Sequence, residues 1–197
     1  MPLRFEYAPG ATPIDPDEAA ELIPVHLTLQ RELDEYEEAN FLEATEWAFA
    51  RRRGDPLDSR FVHAVHRRMF NRVWRWAGRA RRSDKNLGAP WIEIPTRLHQ
   101  MLDDVRAQIE HDAYSPIELA ARYHHRLVSV HVFPNGNGRH ARLMADLLLT
   151  ELEGRRFEWG RGSLVAAGDV RTRYIAALRT ADTGDYRELL QFLNPAP

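Results

Sequence analysis

The chain has 197 residues, a length typical of one domain with a hydrophobic core of its own. Its 27 basic and 29 acidic residues nearly cancel, which argues against a dedicated nucleic-acid-binding protein with a basic excess. It contains no cysteine, so disulfides, thiolate nucleophiles and cysteine-bound zinc are excluded.

The first 16 residues are rich in Pro, Gly and Ala and lack periodicity, which predicts an extended N-terminal arm. The stretch from Met1 to Asp17 has no apolar segment of the kind found in secretory signals. No apolar run approaches the roughly 20 residues that a membrane helix needs. These features favour a cytoplasmic protein without a membrane partner.

Apolar residues at helical spacing predict helices through most of the remaining chain. Helical patterning begins near Asp17, and further helices are predicted at 31–53, 58–76, 96–111, 116–130, 139–152, 166–180 and 186–193. We expect residues 17–54 to form N-terminal helices and residues 55–197 to form the core domain. The fold class is therefore predicted to be all-α.

The segment 81–96 differs from the helices around it. Turn residues lie between positions 86 and 90, and an alternating stretch precedes Pro95. This pattern predicts one short β-hairpin, the only strand signal in the chain. The alternating stretch consists of Trp91, Ile92, Glu93 and Ile94.

The residues from His131 to Arg142 indicate a phosphate site beside a base. Two glycines, Gly136 and Gly138, open a predicted helix, and backbone N–H groups at such a helix start favour an anion. Arg139 and Arg142 lie three residues apart and reach from one helix face, where their planar donors suit phosphate oxygens. His131 stands at the loop entrance, where it can take a proton from a hydroxyl near neutral pH.

This segment resembles the Fic family signature, His-x-Phe-x-Asp/Glu-Gly-Asn-Gly-Arg-x-x-Arg, at seven of its eight defined positions. The resemblance runs from about residue 55 to 193. Within the family, the sequence is most similar to the subgroup of short proteins called mobile mystery protein B. The matching positions are His131, Phe133, Gly136, Asn137, Gly138, Arg139 and Arg142.

The resemblance implies a helical bundle that transfers AMP from ATP to a Tyr, Thr or Ser hydroxyl of a target protein. It implies that His131 is the general base and that the hairpin is a target-binding flap. An antitoxin partner is implied by the subgroup. Residues 135–139 and Arg142 would bind the nucleotide; among them, Asn137 would help to hold the α-phosphate.

Asn135 departs from the signature, because the family has Asp or Glu there to coordinate magnesium. A neutral amide oxygen is a weaker ligand for a hard cation such as Mg²⁺ or Mn²⁺. Two alternatives therefore stay open: transfer of another group, such as phosphate in Doc-type members, and a nucleotide-binding module with little catalysis.

The family resemblance also suggests an inhibitory helix, whose signature reads Ser/Thr-x-x-x-Glu-Gly/Asn. Thr28 and Glu32 keep the first two defined positions of that signature, with Leu33 at its end. We hypothesise that Glu32 pairs with Arg142 and blocks the γ-phosphate site.

Overall fold

The computed structural model describes residues 12–50, 54–161, 164 and 168–194. Most of the predicted arm, residues 1–11, lies outside this part of the chain. Within it the helices are α1 Pro16–Ala19, α2 Gln30–Phe49, α3 Ser59–Phe70, α4 Ile94–Glu110, α5 Pro116–Val130, α6 Asn137–Glu153, α7 Asp169–Asp182 and α8 Arg187–Leu193. Two short 3₁₀ turns cover Trp91–Glu93 and Trp159–Arg161.

The all-α prediction is confirmed, but the third helix ends earlier than the pattern predicts. Helix α3 stops at Phe70 because the backbone beyond it pairs with the segment before α2. The N–H of Ile23 donates to the Val73 carbonyl (2.8 Å), and the N–H of Arg75 donates to the Glu21 carbonyl (3.0 Å). This pairing fixes the segment after α1 against the core.

The predicted hairpin flap at residues 91–94 is wrong. Among the described residues the β pairing is limited to one isolated bridge, between Leu22 and Trp74. Trp91, Ile92 and Glu93 form a 3₁₀ turn, and Ile94 begins α4. Four alternating residues fit a helix start as well as a strand, and Pro95 is tolerated in the first helical turn, where no N–H donor is needed.

Helix α5 lies at the centre of the molecule, packed between α4 and α6, while α2 covers α3 and α7 pairs with α8. One hydrophobic core joins these helices, with Val62, Tyr123, Phe133 and Leu189 wholly excluded from solvent. The core therefore holds the end of α5 and the start of α6 rigidly against each other. None of the described helices combines the length and apolar character needed to span a bilayer.

Candidate active site

The turn between α5 and α6 depends on two residues with left-handed backbone. His131 ends α5 at φ 53°, and Gly136 precedes α6 at φ 76°. A Cβ on Gly136 would lie 2.4 Å from the Phe70 ring, so only glycine fits this turn. The turn brings the His131 ring and the N-terminus of α6 to one cleft.

Side chains inside the turn hold its shape. The N–H of Phe133 donates to Asn137 Oδ1 (2.9 Å), and Asn137 Nδ2 donates back to the Phe133 carbonyl (2.7 Å). The Phe133 ring stacks on His66 with 3.7 Å between centroids. Asn137 thus shapes the loop with both ends of its amide, whereas the family resemblance implied a contact to the α-phosphate.

His131 is neutral and lies almost wholly inside the cleft wall. Burial lowers its pKa to about 4, and the positive charge of Arg81 acts in the same direction, while the Val128 carbonyl opposes them. Its Nε2 lies 3.1 Å from the Thr12 hydroxyl. Accepting a hydroxyl proton at Nε2 requires the tautomer that carries its proton on Nδ1.

Arg81 is a supporting residue that the sequence analysis missed. Its Nε donates to the His131 carbonyl (2.7 Å), Nη1 donates to the Ser83 carbonyl (2.7 Å), and Nη2 donates to the Ala89 carbonyl. The buried guanidinium thereby ties the loop before α4 to the end of α5. No motif could single it out, because three arginines lie close together at 79–82.

The structure brings the predicted nucleotide residues together at the start of α6. Gly136, Gly138 and Arg139 line one cleft of about 1180 Å³ with His131 and Arg142. The first N–H groups of a helix lack partners within it and carry partial positive charge. The cleft therefore combines a neutral base with donors suited to a polyphosphate.

Both signature arginines have partners within the chain. Arg139 forms an ion pair with Glu37 of α2 and lies over the Phe70 ring, 4.9 Å from its centroid. Glu37 also accepts from Trp74 Nε1 (2.7 Å). Arg142 contacts the Tyr174 hydroxyl, and burial lowers the pKa of its guanidinium.

The hypothesised pair between Glu32 and Arg142 is not formed in this structure. Glu32 Oε2 instead accepts the N–H groups of Thr28 (3.1 Å) and Leu29 (3.2 Å) at the start of α2. These bonds lower the pKa of the Glu32 carboxyl. Glu37, about one and a half turns further along α2, is the carboxylate that reaches a signature arginine, Arg139.

Asn135 does not present a free ligand for a cation. Its Oδ1 accepts the N–H of Gly136 (2.6 Å), and its Nδ2 donates to the Thr12 carbonyl (3.0 Å). The part of the chain that the structure describes holds no group of three or more His, Asp or Glu residues that could bind a metal. The residues therefore do not fit a preformed Mg²⁺ or Mn²⁺ site.

The residues predicted as a flap lie outside this cleft. Trp91 and Ile92 line a separate groove of about 420 Å³ with Arg79 and Arg82. Ile94 is buried in the core, and Glu93 pairs with Arg97 on the surface.

Comparison with known proteins agrees with the fold described above. Residues 56–149 match the sequence model described as the Fic/DOC family. This match covers α3, α4, α5, most of α6 and the turn between α5 and α6, so this part of the chain is similar to the Fic/DOC family domain.

Solved structures of Fic domains share the fold over most of the chain. The N-terminal Fic domain of the Bartonella sp. 1-1C effector Bep8 superposes with a TM-score of 0.66 at 18% identity, covering 86% of this chain and 88% of that one. BepC of Bartonella tribocorum, solved with bound AMPPNP, gives a TM-score of 0.65 at 17% identity, covering 91% and 96%.

Among curated proteins, the protein adenylyltransferase fic-1 of Caenorhabditis elegans is 30% identical over 120 residues. That match covers 59% of this chain but 22% of the relative. The chain thus spans about a fifth of the length of this relative.

Proposed function

We propose that this chain transfers AMP from ATP to a hydroxyl group of a target protein. The observation that carries the proposal is the neutral His131 ring, whose Nε2 faces a hydroxyl in the cleft that also holds the α6 N-terminus. The name of the nematode relative, a protein adenylyltransferase, supports AMP as the transferred group. The AMPPNP bound to BepC supports ATP as the donor.

Each residue has a defined part in the proposed reaction. The target hydroxyl gives its proton to His131 Nε2, and its oxygen bonds to the α-phosphorus while pyrophosphate leaves. Gly136, Gly138 and the first amides of α6 surround the phosphates, and Arg139 and Arg142 neutralise their charge. Arg139 must first part from Glu37. Because little covalent work falls to the protein, positioning and charge neutralisation supply most of the rate enhancement.

The further parts of the proposal are a Tyr, Thr or Ser acceptor, a cytoplasmic location and an antitoxin partner of the mobile mystery protein B kind. A divalent cation, Mg²⁺ or Mn²⁺, would enter with the phosphates of ATP, because Asn135 has a single side-chain oxygen and this oxygen already accepts the N–H of Gly136.

The test is incubation of the purified chain with α-labelled ATP, Mg²⁺ or Mn²⁺, and a bacterial lysate. We expect a labelled lysate protein that disappears with His131→Ala. Label arriving from γ-labelled ATP instead would show phosphate transfer. ATP binding without any labelled protein would show a nucleotide-binding module, and either result contradicts AMP transfer.

A further inference from the structure

Thr12 occupies the place where an acceptor hydroxyl belongs. Its Oγ1 lies 3.1 Å from Nε2 of His131, although 119 residues separate the two in the chain. The side chain is buried, with 8% of the residue exposed, so this contact lies inside the cleft. A distance of 3.1 Å is within the range for direct proton transfer to a base.

Asn135 holds the backbone of the same residue. Its Nδ2 donates to the Thr12 carbonyl at 3.0 Å, while its Oδ1 is engaged by the Gly136 N–H. An ionised Asp or Glu has no donor and could not form the first bond. The amide that departs from the family signature thus suits a role in fixing Thr12.

The chain that follows Thr12 is anchored to the loop beside the base. Lys85 Nζ donates to Asp15 Oδ2 and to Glu18 Oε2, each at 2.6 Å, and the Lys85 side chain is 2% exposed. Ser83 Oγ donates to Asp15 Oδ2 at 2.8 Å. Asp15, three residues after Thr12, is therefore fixed to Ser83 and Lys85. These two residues lie on the loop that Arg81 connects to His131.

Room for the nucleotide remains beside Thr12. The cleft of about 1180 Å³ includes Thr12, the α6 N-terminus and both signature arginines. Small-molecule sites commonly measure about 300–1,000 Å³, so a nucleotide and the Thr12 side chain can share this space.

We propose that Thr12 is an acceptor in cis, so that the chain transfers AMP from ATP to its own Thr12 hydroxyl. The inference rests on the proposed AMP transfer. The Thr12 hydroxyl gives its proton to His131 Nε2, and Oγ1 bonds to the α-phosphorus. The bond from that phosphorus to the bridging oxygen breaks, and pyrophosphate leaves with the electron pair. The product is a phosphodiester between Thr12 and adenosine.

The experiment incubates the full chain alone with α-labelled ATP and Mg²⁺ or Mn²⁺, then locates any AMP by peptide mass spectrometry. We expect label on residue 12 in the parent chain and in Thr12→Ser. We expect its loss in Thr12→Val, which keeps the shape without the hydroxyl, and in His131→Ala. Thermal unfolding of each variant checks that it is folded.

A mixing experiment separates reaction within one chain from reaction between chains. The Thr12→Val chain retains His131, and the His131→Ala chain retains Thr12. Transfer in cis predicts no label on either chain when the two are mixed. It also predicts a first-order rate constant for the parent chain that does not change with protein concentration.

Two kinds of result overturn the inference in distinguishable ways. A labelled lysate protein without AMP on Thr12, or undiminished self-labelling of Thr12→Val, removes Thr12 as the acceptor and leaves the proposed function standing. Transfer of phosphate from γ-labelled ATP, or ATP binding with no labelled protein in any lane, contradicts both the acceptor role of Thr12 and the proposed AMP transfer.

Discussion

At the scale of single residues, the charge on Glu37 competes with the nucleotide for Arg139. The ion pair is largely shielded from solvent, with 18% of the Arg139 side chain and 11% of the Glu37 side chain exposed. We expect Glu37→Gln to tighten ATP binding by about tenfold, equivalent to about 1.4 kcal/mol, because Arg139 becomes free for phosphate. The glutamine oxygen can still accept from Trp74 Nε1, so the fold should persist.

Titration calorimetry with ATP measures this change. Glu38→Gln is the matched control, since Glu38 lines the same cleft on the same helix but is exposed. It removes the same charge without releasing Arg139, and Glu32→Gln tests the hypothesis drawn from the sequence. Equal tightening in all three variants would show a general electrostatic effect and contradict a specific role for Glu37.

The residues of the loop could be predicted from the sequence, but their partners could not. His131, Gly136, Arg139 and Arg142 are close in the chain, and their order alone predicted one shared cleft. Glu37 is 102 residues from Arg139, and its contact depends on how α2 packs on α3. Local patterns carry no information about such a contact.

At the scale of elements, Asn40 joins α2 to the end of α3. Its Nδ2 donates to the Arg68 carbonyl (2.9 Å), and its Oδ1 accepts the N–H of Arg72 (3.0 Å). We expect Asn40→Ala to lower the free energy of unfolding by roughly 1–3 kcal/mol, because it leaves backbone groups without partners. Urea denaturation measures this loss, and an unchanged midpoint would contradict the bridging role.

A second contact, at Asp146 of α6, makes stability depend on pH. Burial raises its pKa to about 6 from the ordinary 3.8, although the N–H groups of Phe157 and Trp159 donate to it and lower the pKa. The folded state therefore binds more protons than the unfolded state between pH 4 and 6. Stability falls as the pH rises through this window, by up to roughly 3 kcal/mol for a shift of about two units.

Asp146→Asn should abolish this part of the pH dependence, which urea denaturation at pH 4.5 and pH 7 would measure. Glu151→Gln on the same helix is the control, because Glu151 is exposed. If Asp146→Asn kept the slope of the parent chain, another group would be responsible.

Helix existence was more predictable than the helix boundaries. Helix α5 runs from Pro116 to Val130, as its apolar spacing predicted, whereas α3 ends at Phe70 and not at the predicted residue 76. The short stretch at residues 91–94 was misassigned, because Ile92 and Ile94 on either side of Glu93 match the alternation of a strand in sequence. In the structure Ile92 is exposed and Ile94 is buried, so the two do not share a face as they would in a strand. The tertiary bonds around the loop decide between the two structures: Asp84 Oδ1 accepts the N–H of Trp91 at 2.8 Å.

At the scale of the whole molecule, the N-terminal segment and the core domain together set the protonation of the base. Thr12 covers the His131 ring from one side, and the loop with Gly88 covers it from another, since a Cβ on Gly88 would lie 2.5 Å from His131 Cβ. The sequence predicted the arm but gave no sign that its residue Thr12 enters the cleft, because the residues that Thr12 contacts, His131 and Asn135, lie more than a hundred residues away in the chain.

Deleting residues 1–12 should therefore raise the pKa of His131 from about 4 toward the ordinary 6.5, because burial is the largest cause of its depression. In the intact chain the folded state disfavours the protonated ring. The free energy of unfolding therefore decreases as the pH falls from 6.5 toward 4. An NMR titration of the histidine ring carbons measures both values. His140, whose pKa of about 3 also arises mainly from burial, contacts the Val62 carbonyl away from the arm and should titrate unchanged. If His131 also titrated unchanged, the loop at residues 81–90 alone would keep the base neutral, and the arm would act only through the hydroxyl and carbonyl of Thr12.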